Sequence, residues 1–325
     1  MTRIYRTPEE NFHNLPGFPY KLHYLDKVEG FEDFKDGLRI SYLDEGPKDS
    51  ELTFLMLHGH LTWSYMWRHF IKILIESNHR AIAIDLPGFG RSDKPIDEKY
   101  YTFSSLRNTL INTINRLDLK NIVLVVHEWG GFLGLTIPME FYERFAGIIV
   151  HSTVLTTGTQ IMSESYSDWR KYCNDNPDMN IRAIIARTNR ILNLKECNAY
   201  HAPFDSYESK VALRALPKIV PDNPEKDGAQ ISRDASLWLS EEFDGPAILL
   251  SGMRDPLFPQ EVIKNLGNII KGIDVLPGKD NAGHFLPEWA MEYGENLVSQ
   301  FVKTRLDNIE EKKKKEEDQT NEEQQ

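Results

Sequence analysis

The chain has 325 residues, of which 40% are hydrophobic and 27% are charged, and its formal net charge is −11. This balance is typical of a globular protein with one large or two modest domains, and the acidity argues against nucleic acid as a partner. No apolar run approaches the roughly 20 residues that a membrane span needs. The N-terminal stretch lacks the apolar core of a signal peptide, so we expect a cytoplasmic protein without a membrane partner.

The chain contains two cysteines, Cys173 and Cys197. Two thiols do not make a disulfide framework, and no cluster of histidine and cysteine has the spacing of a zinc site. We therefore expect free thiols in a reducing compartment and no bound metal.

The order of the predicted elements indicates the class of fold. The alternating stretch at 38–46 predicts a half-buried strand, and the continuous apolar run at 52–59 predicts a strand that is buried on both faces. Further strands are predicted at the start of 80–95 and at 121–126, 147–153, 246–252 and 273–278, with helices at 65–77, 103–119, 130–142 and 287–306. Strands separated by helices predict an α/β fold with a mostly parallel sheet.

The alternation lapses between about residues 155 and 235, where the pattern is helical and richer in polar and aromatic residues. We therefore expect an α/β core at 1–154, a helical cap at 155–234 and the second part of the core at 235–308. The last segment, 309–325, is a charge run without an apolar face. It is expected to be disordered, or to extend the last helix as a frayed end.

Three ionisable residues follow predicted strands, and in an open α/β sheet the reacting groups gather at the carboxyl ends of the strands. Glu128, Asp255 and His284 stand at these positions. Their order along the chain matches the nucleophile–acid–histidine order of α/β hydrolases. Gly130 and Gly131 follow Glu128 and suit a sharp, strained turn from strand to helix.

Several longer motifs carry a specific resemblance. They are HGHLTWSYMWRHFI, DLPGFGRSDKP, LVVHEWGGFLGL, GMRDPLF and NAGHFLPE, in this order along the chain. With them the chain resembles the haloalkane dehalogenases, in particular the branch in which two tryptophans hold the halide, over about residues 5–306. The resemblance implies an α/β-hydrolase fold with an inserted helical cap. It also implies a small apolar substrate, water as co-substrate, no cofactor and a monomer.

The family resemblance implies a role for each residue at the strand ends. Glu128 stands where the family has a nucleophilic aspartate, and it would attack carbon to form an alkyl-enzyme ester. His284, oriented by Asp255, would then take a proton from the water that hydrolyses the ester. The backbone N–H groups of His60 and Trp129 would form the oxyanion hole.

The same resemblance assigns the halide to the indoles of Trp129 and of the cap residue Trp169. An indole N–H donates and cannot accept, so a pair of them suits an anion in an apolar pocket.

The sequence departs from the family pattern at the site itself. Glu128 has one methylene more than aspartate, and a displacement of about 1 Å can cost on the order of 10²-fold in rate. His60 stands where the branch with two halide tryptophans has glutamate, and its imidazole is a candidate partner for Glu128. Leu61 stands where many relatives have proline.

Two other functions are compatible with this sequence. An epoxide or strained-lactone hydrolase needs an acid to protonate the ring oxygen, and the predicted cap offers tyrosines for this role, namely Tyr166, Tyr172, Tyr200 and Tyr207. A ligand-binding protein with impaired catalysis would result if the longer side chain of Glu128 cannot react. Convergence of two tyrosyl hydroxyls on Glu128 would favour the first alternative.

Overall fold

The computed structural model describes residues 3–160, 162–189 and 191–323 of the chain. Its strands are β1 Ile4–Tyr5, β2 Leu22–Val28, β3 Leu38–Glu45, β4 Thr53–Leu57, β5 Arg80–Ile84, β6 Lys94–Pro95, β7 Ile122–His127, β8 Phe145–His151, β9 Ala247–Leu250 and β10 Ile273–Val275. Its α-helices are α1 Arg68–Glu76, α2 Phe103–Arg116, α3 Trp129–Gly134, α4 Glu164–Asp175, α5 Ile181–Thr188, α6 Leu194–His201, α7 Val211–Ile219, α8 Ala229–Glu241, α9 Gln260–Ile269 and α10 Ala290–Glu323.

Eight of the strands form one sheet in the order β10-β9-β8-β7-β4-β5-β3-β2. The pairs from β10 to β5 are parallel, and β3 and β2 add antiparallel strands at one edge. The predicted α/β class with a mostly parallel sheet is thus confirmed. β4 is wholly buried, as its continuous apolar run predicted, and β7 is also wholly buried.

The register of the sheet brings the ends of two central strands together. Leu57, the last residue of β4, is level with Val126 of β7. The chain segments that follow these strands therefore start side by side at the carboxyl edge of the sheet. They contain His60 and Glu128, respectively.

The helix predicted at 130–142 is shorter in the structure, where α3 ends at Gly134. Pro138 has no N–H to donate to the carbonyl of Gly134, four residues earlier, so the α-helix cannot continue through it. Short 3-10 turns follow at Pro138–Glu140 and Tyr142–Arg144.

The cap consists of helices α4–α7, inserted between β8 and α8. The expected return to the core at residue 235 falls inside α8, which begins at Ala229 and packs against the core helix α9. We therefore propose that the cap ends near residue 228, because a helix packs as one unit against its neighbour.

For the charged segment at the end of the chain, the structure favours the second of our two expectations, a helical extension, over a disordered tail. Helix α10 continues through it to Glu323, so it is the helical extension of the last core helix. Glutamate, lysine and glutamine are good helix formers, and this explains a helix without an apolar face. Lys312 also pairs with Asp244 of the core at 2.5 Å.

A buried ion pair, which the sequence did not reveal, ties the cap to the core. Arg68 of α1 donates to both carboxylate oxygens of Glu288, at 2.6 and 2.7 Å, and neither side chain is exposed. On the cap helix α6, Glu196 accepts from Arg68 at 3.1 Å and Tyr200 donates to Glu288. The pair is thus surrounded by polar groups from both domains.

Over the described ranges, no helix is apolar for long enough to cross a lipid bilayer.

Glu288→Gln is expected to destabilise the protein by about 3 kcal/mol, because it removes the main counter-charge of a buried guanidinium. Urea unfolding of the variant and of the native protein measures this difference. Glu76→Gln is the control, since Glu76 pairs with Lys72 at 3.8 Å on the surface and should contribute less than about 0.5 kcal/mol. Equal effects of the two substitutions would contradict the prediction.

Candidate active site

Glu128 occupies a strained turn between β7 and α3. Its backbone angles, φ of +47° and ψ of −113°, lie in a region that residues other than glycine rarely adopt. The turn is crowded, because a Cβ on Gly130 would lie 2.1 Å from the carbonyl oxygen of Leu57 and one on Gly131 would lie 2.3 Å from Oγ1 of Thr153. Both glycines are therefore required by the packing, as the sequence motif predicted.

The carboxylate of Glu128 points at two backbone N–H groups. Its Oε2 accepts from the N–H of His60 at 2.5 Å and from that of Trp129 at 2.7 Å. Within the described residues, Oε1 accepts no hydrogen bond. The two N–H groups that were predicted as an oxyanion hole thus converge on one carboxylate oxygen and leave the other available.

His284 lies beside the carboxylate of Asp255. Its Nδ1 is 3.1 Å from Oδ2 and 3.3 Å from Oδ1 of Asp255, while Oδ1 also accepts from the N–H groups of Leu257 and Phe258 at 2.9 and 3.2 Å. A carboxylate only accepts, so Nδ1 carries a hydrogen and Nε2 of the neutral ring is free to take a proton. The two side chains are therefore in contact, as an acid–histidine pair requires.

His127 is a residue that the sequence analysis did not single out. Its Nε2 donates to the carbonyl oxygen of His284 at 2.8 Å, and the two rings lie 4.8 Å apart between centroids. Burial holds the pKa of His127 well below its usual range, so the ring is neutral. Its place directly before Glu128, at the end of an apolar strand, was the only signal for this contact.

The electrostatics of Glu128 and His284 are coupled. Burial raises the pKa of Glu128 from its ordinary value of 4.5 to about 7, although His284 and the two N–H groups favour the carboxylate. Burial disfavours the charged form of His284, but the adjacent carboxylates of Asp255 and Glu128 outweigh it and raise the pKa of His284. Each of the two groups therefore stabilises the charged form of the other.

A cavity of about 510 Å³ lies between the cap and the core. Glu128 and His284 reach it from the core, and Trp169, Tyr172 and Ile184 reach it from the cap. The lining is mostly apolar, so the cavity suits a small apolar molecule in contact with the carboxylate.

The two tryptophans have different environments. Trp169 lines the cavity, while Trp129 is buried and packs against Phe132 at 5.2 Å between ring centroids. In the part of the chain that the structure describes, Trp129 is not among the residues of the cavity wall. Of the two indoles that were predicted to hold the halide, that of Trp169 lies in the cavity wall, while that of Trp129, the residue after Glu128 in the chain, is buried.

The imidazole of His60 does not pair with Glu128, so this hypothesis is wrong. Its Nε2 lies 2.9 Å from the carbonyl oxygen of Leu213 in the cap, and only its backbone N–H binds the carboxylate. Burial lowers the pKa of His60 to about 4, so the ring is neutral at pH 7. The next residue, Leu61, has a φ of +67°, a further strained position at the site.

The tyrosines of the second hypothesis do not converge on Glu128. Tyr200 donates to Glu288, Tyr207 is exposed on the surface, and Tyr172 lines the cavity. Tyr166 is buried, and its pKa is raised by burial and by the nearby charge of Glu128, but it is a single tyrosine and the hypothesis needs two. Across the described ranges, no tyrosyl hydroxyl forms a hydrogen bond with Glu128. The geometry therefore gives no support to ring-opening of an epoxide or lactone.

Comparison with known proteins agrees with this fold. The α/β-hydrolase fold family matches residues 53–290, which places the chain in that class. A haloalkane dehalogenase of Psychrobacter cryohalolentis is 36% identical over 310 residues, which cover 92% of this chain and 98% of that one. A haloalkane dehalogenase of Mycolicibacterium paratuberculosis is 31% identical over 298 residues, or 91% of this chain and 97% of that one.

A solved structure is also similar over nearly its full length. The tetrameric haloalkane dehalogenase of Paraglaciecola agarilytica shares 38% identity, with a TM-score of 0.87 over 92% of this chain and 99% of that one. These likenesses extend across both core and cap. Within the α/β hydrolases, the chain therefore belongs to the haloalkane dehalogenase family.

The carboxyl group of Glu128 is expected to titrate near pH 7, because burial disfavours its charged form. Carbonyl chemical shifts of ¹³C-labelled glutamate measure the midpoint, and the signal is assigned by its loss in Glu128→Gln. In His284→Phe the midpoint should move higher, since the positive ring no longer favours the carboxylate. A midpoint at or below 4.5, the ordinary value, would contradict the assignment.

Proposed function

We propose that this protein hydrolyses the carbon–halogen bond of a small apolar haloalkane, with Glu128 as the nucleophile. The observation that carries the proposal is the position of the Glu128 carboxylate. One oxygen lies between two N–H groups, the other is free of hydrogen bonds within the described residues, and the group faces an apolar cavity that His284 also lines. Membership in the haloalkane dehalogenase family supports the same activity.

The first step is the displacement of the halide. Oε1 of Glu128 attacks the carbon that carries the halogen, a C–O bond forms, and the C–X bond breaks with its electron pair on the halide. The product is an alkyl ester of Glu128. The indole N–H of Trp169, together with that of Trp129, would stabilise the departing anion.

The second step is hydrolysis of this ester. Nε2 of His284 takes a proton from water while the water oxygen attacks the ester carbonyl carbon. The negative charge develops on Oε2, where the N–H groups of His60 and Trp129 stabilise it. The bond between Cδ of Glu128 and the alkoxy oxygen then breaks, and the protonated His284 gives its proton to the alkoxide, which leaves as the alcohol. The net products are alcohol, halide and a proton. Neither step uses a metal or an organic cofactor.

The distances at Glu128 favour an active glutamate over an impaired ligand-binding site. Oε2 reaches both N–H groups at 2.5 and 2.7 Å, so the hole fits the longer side chain. An aspartate at this position would end about one bond length, or about 1.5 Å, short of the same contacts. We infer that the site has adapted to glutamate.

For the assembly, we propose an oligomer in place of the monomer that we first expected. The relative from Paraglaciecola agarilytica is tetrameric and covers 92% of this chain. Light scattering tests this proposal, because an oligomer has a mass that is a multiple of 37.6 kDa. A cytoplasmic location stays a proposal and is supported by the free thiols of Cys173 and Cys197.

Incubation with short bromoalkanes is expected to release bromide, and His284→Phe should stop the reaction at the ester. Mass spectrometry of this variant after brief exposure should find the alkyl group on the peptide that contains Glu128. Glu128→Gln is the control, since an amide is a poor nucleophile and should form no adduct. No bromide from the native protein and no adduct in His284→Phe would refute the proposed function.

Glu128→Asp is expected to lower kcat on the order of 10²-fold, because the shorter carboxylate loses its position between the two N–H groups. Steady-state bromide release measures the effect, with Glu128→Gln giving the background rate. A ligand-binding protein with an impaired site predicts the opposite, namely a gain of turnover with aspartate. A faster Glu128→Asp variant would therefore overturn the inference that the hole is adapted to glutamate.

A further inference from the structure

The imidazole of His60 takes part in neither proposed step, yet it is buried between the core and the cap. Its Nε2 is 2.9 Å from the carbonyl oxygen of Leu213, which belongs to cap helix α7. A carbonyl oxygen only accepts, so Nε2 carries the hydrogen and donates. The ring also meets Trp169 of α4 in an edge-to-face arrangement, with 5.7 Å between centroids.

Pro217 explains why the Leu213 carbonyl can accept this bond. In an α-helix the carbonyl of one residue accepts from the N–H four positions later, which for Leu213 is residue 217. Pro217 lies inside α7 and has no N–H to donate. Leu213 is fully buried, and a buried carbonyl without a donor lowers stability. His60 supplies the donor that the helix lacks.

The same residue contributes its backbone to the site, since the N–H of His60 is 2.5 Å from Oε2 of Glu128. Leu61, directly after it, is held at a φ of +67°, a conformation that persists only where the surrounding structure imposes it. The side chain of His60 is held by its hydrogen bond to the cap, and the residue after it is held in a strained conformation. Both constraints restrict where the backbone N–H of His60 can point.

We propose that His60 is a positioning residue, whose imidazole fastens the oxyanion-hole N–H of the core to cap helix α7 through the carbonyl that Pro217 leaves free. The position of the cap thereby acts directly on the geometry of the hole. The expected effect on rate rests on the proposed function, whereas the hydrogen bond between His60 and Leu213 does not depend on it.

Two amide variants of His60 separate positioning from general packing. In His60→Gln the amide nitrogen lies as many bonds from Cα as Nε2 does, so it can donate to Leu213. In His60→Asn the amide nitrogen lies one bond closer to Cα and cannot reach the carbonyl oxygen of Leu213. The kcat for bromide release should be roughly 10-fold or more higher in His60→Gln than in His60→Asn and His60→Leu.

The slowed step is also expected to change. The hole stabilises the charge that develops during ester hydrolysis, so alkylated Glu128 should accumulate at steady state in His60→Asn and not in His60→Gln. Quenched samples and mass spectrometry measure this fraction. Equal rates and equal ester fractions in the two amide variants would overturn the positioning role.

Pro217→Ala tests the hydrogen bond without any activity measurement, because alanine, unlike proline, has a backbone N–H that can donate to Leu213. The melting temperature should fall more for His60→Leu in the native background than in the Pro217→Ala background. Additive effects would overturn the His60–Leu213 contact. If the native protein releases no halide, the proposed function and the catalytic role of His60 both fail, while the melting temperatures still decide the contact.

Discussion

The buried carboxylate of Glu128, held by the N–H groups of His60 and Trp129, is the constraint on which the rest of the site depends. A carboxylate removed from water is disfavoured, and burial accordingly raises its pKa to about 7. The N–H groups and the neighbouring His284 limit this effect. The charged form of Glu128 is therefore favoured by donors that the fold supplies, and under the proposed function these donors also define where negative charge would develop during ester hydrolysis.

The fold supplies these donors through close packing at the centre of the sheet. β4 and β7 are adjacent and parallel, so the segments after them meet at one edge. Gly130 packs against the carbonyl of Leu57 and allows Glu128 its φ of +47°. The strain of this turn is maintained by the wholly buried strands around it, because such a conformation persists only in rigid surroundings.

The two residues that depart from the family pattern, Glu128 and His60, are in contact. Glu128 replaces the expected aspartate, His60 replaces the expected glutamate, and the N–H of His60 binds Oε2 of Glu128. The side chain of His60 extends away from this contact to Leu213 of the cap. Together with the ion pair of Arg68 and Glu288, this bond connects the carboxyl edge of the sheet to the cap, which forms the other wall of the cavity.

The sequence by itself determined the α/β class, the inserted cap and the order of Glu128, Asp255 and His284, because these depend on local periodicity and on strand ends. It did not determine the end of the last helix, which continues to Glu323 where the sequence left a disordered tail and a frayed helix end as alternatives. Nor did it reveal that Trp129 is buried against Phe132 while Trp169 lines the cavity.

Only the tertiary structure decided where each polar side chain finds its partner. His60 and Leu213 are 153 residues apart, and Arg68 and Glu288 are 220 apart. A local pattern records the type of side chain and its period, but not the distant group that comes to lie within hydrogen-bond distance of it. Such a partner is needed in the folded protein, because a buried polar group without a hydrogen bond lowers stability.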